Sequence, residues 1–166
     1  MIKNADYWIY ALGMSPHPEG GYYREIYRSR ETIGESGLPD RYQGERHMST
    51  SIYFLLKGHE NSKLHRIKSD ETWHFYEGSP LTIFVLSPAG KLRRHVLGSN
   101  LDRGEQFQFT VPANHWFGAT VNDPVSFSLV GCTVSPGFEF DDFEMGNAES
   151  LVAEFPQHRA LIEQLS

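Results

Sequence analysis

Between His65 and Gly78 the chain sets His65, Glu71, His74 and a turn glycine within fourteen residues. A histidine near a carboxylate is suited to proton transfer, because imidazole titrates near neutrality and a carboxylate can orient its ring and stabilise the charged form. The same residue types also ligate divalent metals. His65 is the candidate base and Glu71 the candidate carboxylate beside it. If Glu71 points inward along its strand, alternation sends Trp73 and Phe75 inward and His74 and Tyr76 to the opposite face. His74 stays a candidate ligand-binding residue on condition that a bulge turns it inward.

The elements that must position these groups are mostly strands. From Ser49 onward, segments 50–57, 63–68, 72–77, 81–86, 92–97, 106–111, 115–121 and 126–134 are separated by turn sequences such as Gly78-Ser-Pro, Ser87-Pro-Ala-Gly and Asn122-Asp-Pro. Short strands at this spacing predict a sandwich or barrel. Residues 22–28 form a further strand, and Pro88–Gly90 closes a hairpin between 81–86 and 92–97. Asn4 caps a short helix ending at Leu12, with Gly13 at its end. Ala148–Glu154 and Pro156–Leu165 are helical, with Pro156 in a first turn. Residues 31–47 are polar, glycine-containing and without apolar periodicity, which predicts a long mobile loop.

A chain of 166 residues with 39% hydrophobic and 22% charged residues is expected to form a single domain over 1–166. Its net charge of −6, with only short basic clusters, argues against a nucleic-acid partner. The one cysteine, Cys132, excludes a disulfide framework and reads as a buried, inert thiol. No segment has signal-like or membrane-spanning character, so a cytoplasmic protein with no membrane partner is expected.

The segment His65 to Gly78 resembles the first signature motif of the cupin superfamily. Four further blocks resemble the Cupin-5 branch in order along the chain: His17-Pro-Glu-Gly-Gly-Tyr-Tyr-Arg-Glu25, Ser49–Leu56, Val111–Gly118 and Gly131–Glu144. The chain is thereby identified as a member of that branch, a family of unknown function. The resemblance implies an all-β fold: a double-stranded β-helix (the cupin jelly-roll barrel) with short N- and C-terminal helices, usually as a homodimer. In metal-binding cupins the two motifs supply three histidines and one glutamate. Here Ile67 and Phe117 occupy two of the histidine positions, and Asn114 replaces the turn glycine of the second motif. No cofactor is therefore expected. A divalent metal, if present, would draw on His65, Glu71 and His115.

Cupin epimerases of similar fold use no metal, and rely on a histidine base and a tyrosine acid. By that likeness His65, Glu71 and Tyr53 are the candidate catalytic residues, with Tyr22, Tyr23 and Tyr76 as alternative acids. Tyr22, Arg24, Trp73, His74, His115 and Phe117 are candidate ligand-binding residues. Arg24 either grips a carboxylate or phosphate or pairs with Glu25 or Glu19. Trp73, Phe54, Phe75 and Phe109 read as barrel core. The leading expectation is acid/base chemistry, epimerase- or isomerase-like, on a small polar or sugar-like ligand. A non-catalytic ligand-binding or sensor protein and a metal-dependent cupin enzyme are the alternatives. The apolar-acidic segment Pro136–Glu144 is expected to close the barrel edge.

Overall fold

A computed structural model describes residues 3–166. The Asn4 side chain accepts a hydrogen bond from the Tyr7 N–H (3.0 Å) and starts helix α1, Ala5–Ala11. Thirteen strands follow: β1 (Ser15–Pro16), β2 (Tyr22–Arg28), β3 (Thr32–Ile33), β4 (Arg46–His47), β5 (Thr50–Lys57), β6 (Asn61–Arg66), β7 (Asp70–Gly78), β8 (Leu81–Leu86), β9 (Leu92–Leu97), β10 (Gln108–Val111), β11 (Trp116–Val121), β12 (Phe127–Ser135) and β13 (Glu144–Met145). Helices α2 (Ala148–Glu154) and α3 (Arg159–Gln164) end the chain, joined by a short 3-10 turn at Pro156–His158.

The strands form two antiparallel sheets, ordered β1-β2-β5-β12-β7-β10 and β13-β6-β11-β8-β9, with β3 and β4 as a separate hairpin. Alternation decides what each sheet buries. Along β5, Phe54 and Leu56 enter the space between the sheets with Trp73, Ile83, Val85, Phe117 and Val130. The outer faces are also covered. Trp8, Ile9 and Leu12 of the α1 region lie on Leu55, Phe127 and Leu129 of the six-stranded sheet. The C-terminal helices place Leu151, Ile162 and Leu165 on Leu64, Phe84, Leu86 and Trp116 of the other. Covering on both sides explains why β8 reads Leu-Thr-Ile-Phe-Val-Leu without strict alternation. Each such fully buried aliphatic or aromatic side chain contributes about 2 kcal/mol. The result is the all-β jelly-roll barrel with short terminal helices expected from the sequence, and Pro88–Gly90 does join β8 to β9.

Residues 31–47 depart from the expected mobile loop. They contain the β3–β4 hairpin and three buried residues, Leu38, Tyr42 and Arg46. The Tyr42 hydroxyl reaches the Lys68 carbonyl (2.9 Å) and Ser69 Oγ (2.7 Å). Arg46 grips Asp142 with two 2.7 Å hydrogen bonds and also donates to carbonyls within its own turn. One leucine, one aromatic and one arginine, spaced four apart and of three different types, carry the docking, so there is no apolar period to read.

Candidate functional site

A cavity of about 320 Å³ lies between the sheets. It is lined by Tyr23, Glu25 and Arg28 of β2, Thr50, Ile52 and Phe54 of β5, His65 of β6, Glu71 of β7, and Cys132 and Val134 of β12. Ile67, the turn residues His17 and Glu19, and the segment Phe138–Phe143 complete it.

At its centre is a histidine with two committed nitrogens. His65 Nδ1 lies 2.7 Å from the Lys63 carbonyl and Nε2 lies 2.8 Å from Glu19 Oε2. A carbonyl and a carboxylate both accept, so the imidazole donates from both positions and is an imidazolium. Ser62 Oγ donates to the other Glu19 oxygen at 2.9 Å. Burial by itself would lower the His65 pKa, but the Glu19 charge and hydrogen bond outweigh it and hold it above the ordinary histidine value. Burial would likewise raise the Glu19 carboxyl, and the charge and hydrogen bond of His65 bring it below the ordinary range. The His65 ring packs against Phe117, with centroids 4.1 Å apart, and Phe143, at 5.4 Å.

Local chain geometry puts Glu19 there. Gly20 and Gly21 take φ of +104° and +73°, and a Cβ on Gly20 would meet the Asn61 carbonyl oxygen. The Lys63 N–H donates to the Glu19 carbonyl at 2.7 Å. The turn is thus seated on β6, the strand that carries His65. His17 Nδ1 accepts the Glu19 backbone N–H (3.2 Å), which leaves the neutral ring's proton on Nε2. Burial keeps the His17 pKa below the usual value, and its ring meets Tyr23 edge-on at 4.7 Å.

Glu71 is the second feature. Burial, together with the nearby negative Glu19, raises its carboxyl to about 7, with His65 and a hydrogen bond from the Cys132 thiol opposing the rise. Burial and the two carboxylates push the Cys132 thiol well above its ordinary value, so it stays protonated and acts as a donor. At the cavity mouth Arg28 clasps Glu25 (3.0 and 2.8 Å) and reaches Glu139 (2.7 Å) and the Phe138 carbonyl (3.1 Å), tying the phenylalanine-rich segment to β2.

Of the residues predicted from sequence, the structure brings His65 and Glu71 into the cavity. The carboxylate that orients His65 is Glu19, not Glu71. Tyr53 does not line the cavity: as an odd-numbered β5 residue it faces outward, near Tyr76 (6.1 Å) and the α1 cluster. Tyr22 and Arg24 also turn outward. Lys57 lies over the Tyr22 ring at 5.4 Å, and Arg24 donates to the Leu12 carbonyl at 2.8 Å, which closes α1. His74 takes the outer face, 3.2 Å from Thr133 Oγ1; the bulge in β7 comes later and does not turn it inward. Trp73 and Phe117 are fully buried core beneath the cavity. His115 lines a separate groove, between β9 and β10. Asn114 does adopt the left-handed turn, at φ +63°.

His17, Glu19, Arg28 and the phenylalanines at 138, 140 and 143 were not among the predicted site residues, and Tyr23 was only one of three alternatives to Tyr53 as the acid. The available signal was the His17–Glu25 block, where a carboxylate sits between a proline and two glycines at the start of an inward-facing strand.

A metal of the usual cupin kind does not fit these side chains. Ile67 and Phe117 offer no donor, both His65 nitrogens donate elsewhere, and Glu71 is half-protonated near neutrality. His115, the expected substitute, is not at the cavity. Among the described residues, no group of three or more His, Cys, Asp or Glu side chains has the arrangement of a metal site.

Two antiparallel sheets closed over a cavity of this kind define a cupin. Residues 6–146 match the Cupin_5 family model, described as cupin superfamily (DUF985), and the chain belongs to that family. It is similar to a Shewanella oneidensis protein of known crystal structure, at 45% identity over 99% of this chain and 98% of that one, with a TM-score of 0.90. A hypothetical protein from Leishmania major follows at 39% identity, 98% of both chains and a TM-score of 0.88. An uncharacterized protein of Saccharomyces cerevisiae is 28% identical over 137 residues, 76% of this chain and 67% of that protein. Oxalate decarboxylase from Bacillus subtilis, which carries Mn(II) centres, shares the fold at 15% identity and a TM-score of 0.54, over 93% of this chain and 38% of the enzyme. Among the described residues no helix is long and apolar enough to cross a membrane.

Proposed function

We propose that this cupin is an acid/base enzyme, isomerase- or epimerase-like, acting on a small uncharged sugar-like molecule without a tightly held metal. The observation that carries this reading is the Glu71 carboxyl, raised to about 7 and facing the cavity, beside a fixed His65–Glu19 ion pair. A group poised near neutrality both takes and returns a proton efficiently. In this scheme the Glu71 carboxylate removes the proton from a carbon next to a carbonyl. The bonding pair moves onto the carbonyl oxygen, where the developing negative charge is met by a hydrogen-bond donor in the low-dielectric cavity. His17 Nε2–H is the donor available to the oxygen. Tyr23 is the candidate tyrosine that lines the cavity, and so the one available to deliver a proton from the β2 side.

Ligand charge follows from the pairing of cations. His65 is neutralised by Glu19, and Arg28 by Glu25 and Glu139. Among the described residues an anionic ligand would meet no free cation there, whereas aromatic walls and scattered donors suit a neutral polyol with a carbonyl. At about 320 Å³ the cavity lies at the small end of ligand sites.

The test is solvent-deuterium incorporation, followed by NMR, across a panel of free ketoses and aldoses. Exchange at the carbon beside the carbonyl is expected, slowed about 100-fold or more in Glu71→Gln. Ligands that bind by calorimetry yet exchange no deuterium would move the protein to the non-catalytic binding class. Homodimerisation belongs to the same proposal, supported by the exposed Ile26, Tyr27 and Tyr76 of the six-stranded sheet. Light scattering is expected to give twice the 19.0 kDa chain mass.

A further inference from the structure

The two edge strands β9 and β10 enclose a second groove of about 390 Å³. Cross-strand register decides what points into it. His65 is opposite Phe117, Phe117 is opposite Val85, and Val85 is opposite Arg93. Directly opposed residues share a face of the sheet, so Arg93 turns toward the barrel interior as His65 does. His95, two residues on, faces the same way and stacks on Phe109 of β10, with centroids 3.6 Å apart and planes 18° from parallel. Lys91, two residues earlier, and His115 also line the groove. Arg94, between them in sequence, takes the opposite face, 5.6 Å over the Phe84 ring.

Among the described residues no carboxylate lines this groove, and neither Lys91 nor Arg93 takes part in an ion pair. In a chain of net charge −6, a concave space with two unpaired cations, two imidazoles and no acid concentrates positive potential. Inward-facing cations on edge strands also discourage sheets from pairing edge to edge. That role requires neither the second cation nor an imidazole–phenyl stack converging on the same space.

We propose that this groove is a second ligand site for a small organic oxyanion, a phosphate- or carboxylate-bearing molecule. Arg93 and Lys91 hold the anionic group, and the flat body lies against the His95–Phe109 stack. Arginine suits this because its planar fork meets two oxygens of either group.

The test titrates the intact protein with inorganic phosphate, phenyl phosphate and benzoate at constant ionic strength, following histidine side-chain resonances by NMR, with chloride as control. Saturable shifts at His95 and His115 are expected, with phenyl phosphate or benzoate binding more tightly than inorganic phosphate. Arg93→Gln and Lys91→Gln, at two exposed positions, should each weaken binding about tenfold, while Glu71→Gln leaves it unchanged. Shifts that fail to saturate, that chloride reproduces, or that survive both substitutions overturn the proposal. Aggregation of the double variant with no loss of oxyanion binding assigns the cations to edge protection instead.

Discussion

Glu19 Oε2 lies 2.8 Å from His65 Nε2, with both side chains buried. This pair sets the chemistry of the cavity in two ways. It consumes the second His65 nitrogen, so the histidine is a fixed cation rather than a free base. Its carboxylate also adds to the burial that raises Glu71, and thereby moves the titratable function from His65 to Glu71. Removing one partner of a buried pair leaves the other charge uncompensated.

Glu19→Gln should therefore be costly. A loss of about 3 kcal/mol in unfolding free energy is expected from breaking a buried pair. In the variant burial still lowers the His65 pKa while only Glu71 and the Lys63 carbonyl oppose it, so the pKa is expected to fall from its raised value and the ring to lose its proton more readily. Nitrogen-15 NMR of the imidazole distinguishes the two states. An imidazolium persisting at pH 8 in the variant would mean that Glu19 is not what holds the charge.

The Glu71 carboxyl predicts an unusual pH dependence of stability. Its pKa is raised from an ordinary 4.5 to about 7, so the folded state holds this proton more tightly than the unfolded chain. That contribution is fully present below about pH 4.5 and is lost as the pH rises through about 7. By linkage it amounts to about 3 kcal/mol. Denaturant melts of wild type minus Glu71→Gln should show this slope, since the other titrating groups largely cancel in the difference. A flat difference curve would place Glu71 at an ordinary carboxylate value.

Arg46 and Asp142 fasten the 31–47 segment to the turn that carries Phe143, through two 2.7 Å hydrogen bonds. Asp142→Asn should destabilise the protein by about 3 kcal/mol or more, because it leaves a buried guanidinium partly unpaired. Amide exchange within 31–47 should quicken before the strands respond. Unchanged protection there would mean that Leu38 and Tyr42 hold the segment without the ion pair.

Protein expressed with iron, manganese, nickel and zinc available should carry well under one equivalent of metal, and His65→Ala should not change that content. The donors argue for this outcome: Ile67 and Phe117 cannot ligate, and His65 donates from both nitrogens. Near-stoichiometric metal lost in His65→Ala would show that the His65–Glu19 bond opens to ligate, and would displace the proton-transfer scheme.

Much of the scaffold is legible along the chain. Turn glycines and prolines delimit β5 through β12 to within two residues at each end, because turn geometry is a local demand on φ and ψ. Asn114 is readable for the same reason. The second motif needs a left-handed residue there, and asparagine tolerates it. The facing of His74 also followed from period-two alternation with Glu71.

The cavity membership was harder. Tyr53 and Tyr22 carry the right chemistry but the wrong parity, whereas Tyr23 on the same strand as Tyr22 faces inward. Parity relative to the barrel axis is a property of assembled sheets, and β2 becomes part of one only by pairing with β5. Likewise Arg93 looks like one of two adjacent surface arginines until the register with Val85 assigns the pair to opposite faces.

By itself, then, the sequence determined the all-β architecture, the positions of β2 and of β5 through β12 with the turns between them, and the placement of His65 and Glu71 on neighbouring strand segments near the site. These depend on local torsional preference and on hydrophobic periodicity, which neighbouring residues encode. Only the tertiary structure decided that Glu19 crosses to His65 and that Glu71 is the group left to titrate near neutrality. Those facts depend on burial and on Coulomb interactions across a low-dielectric cavity, and such forces act between residues that only folding brings together.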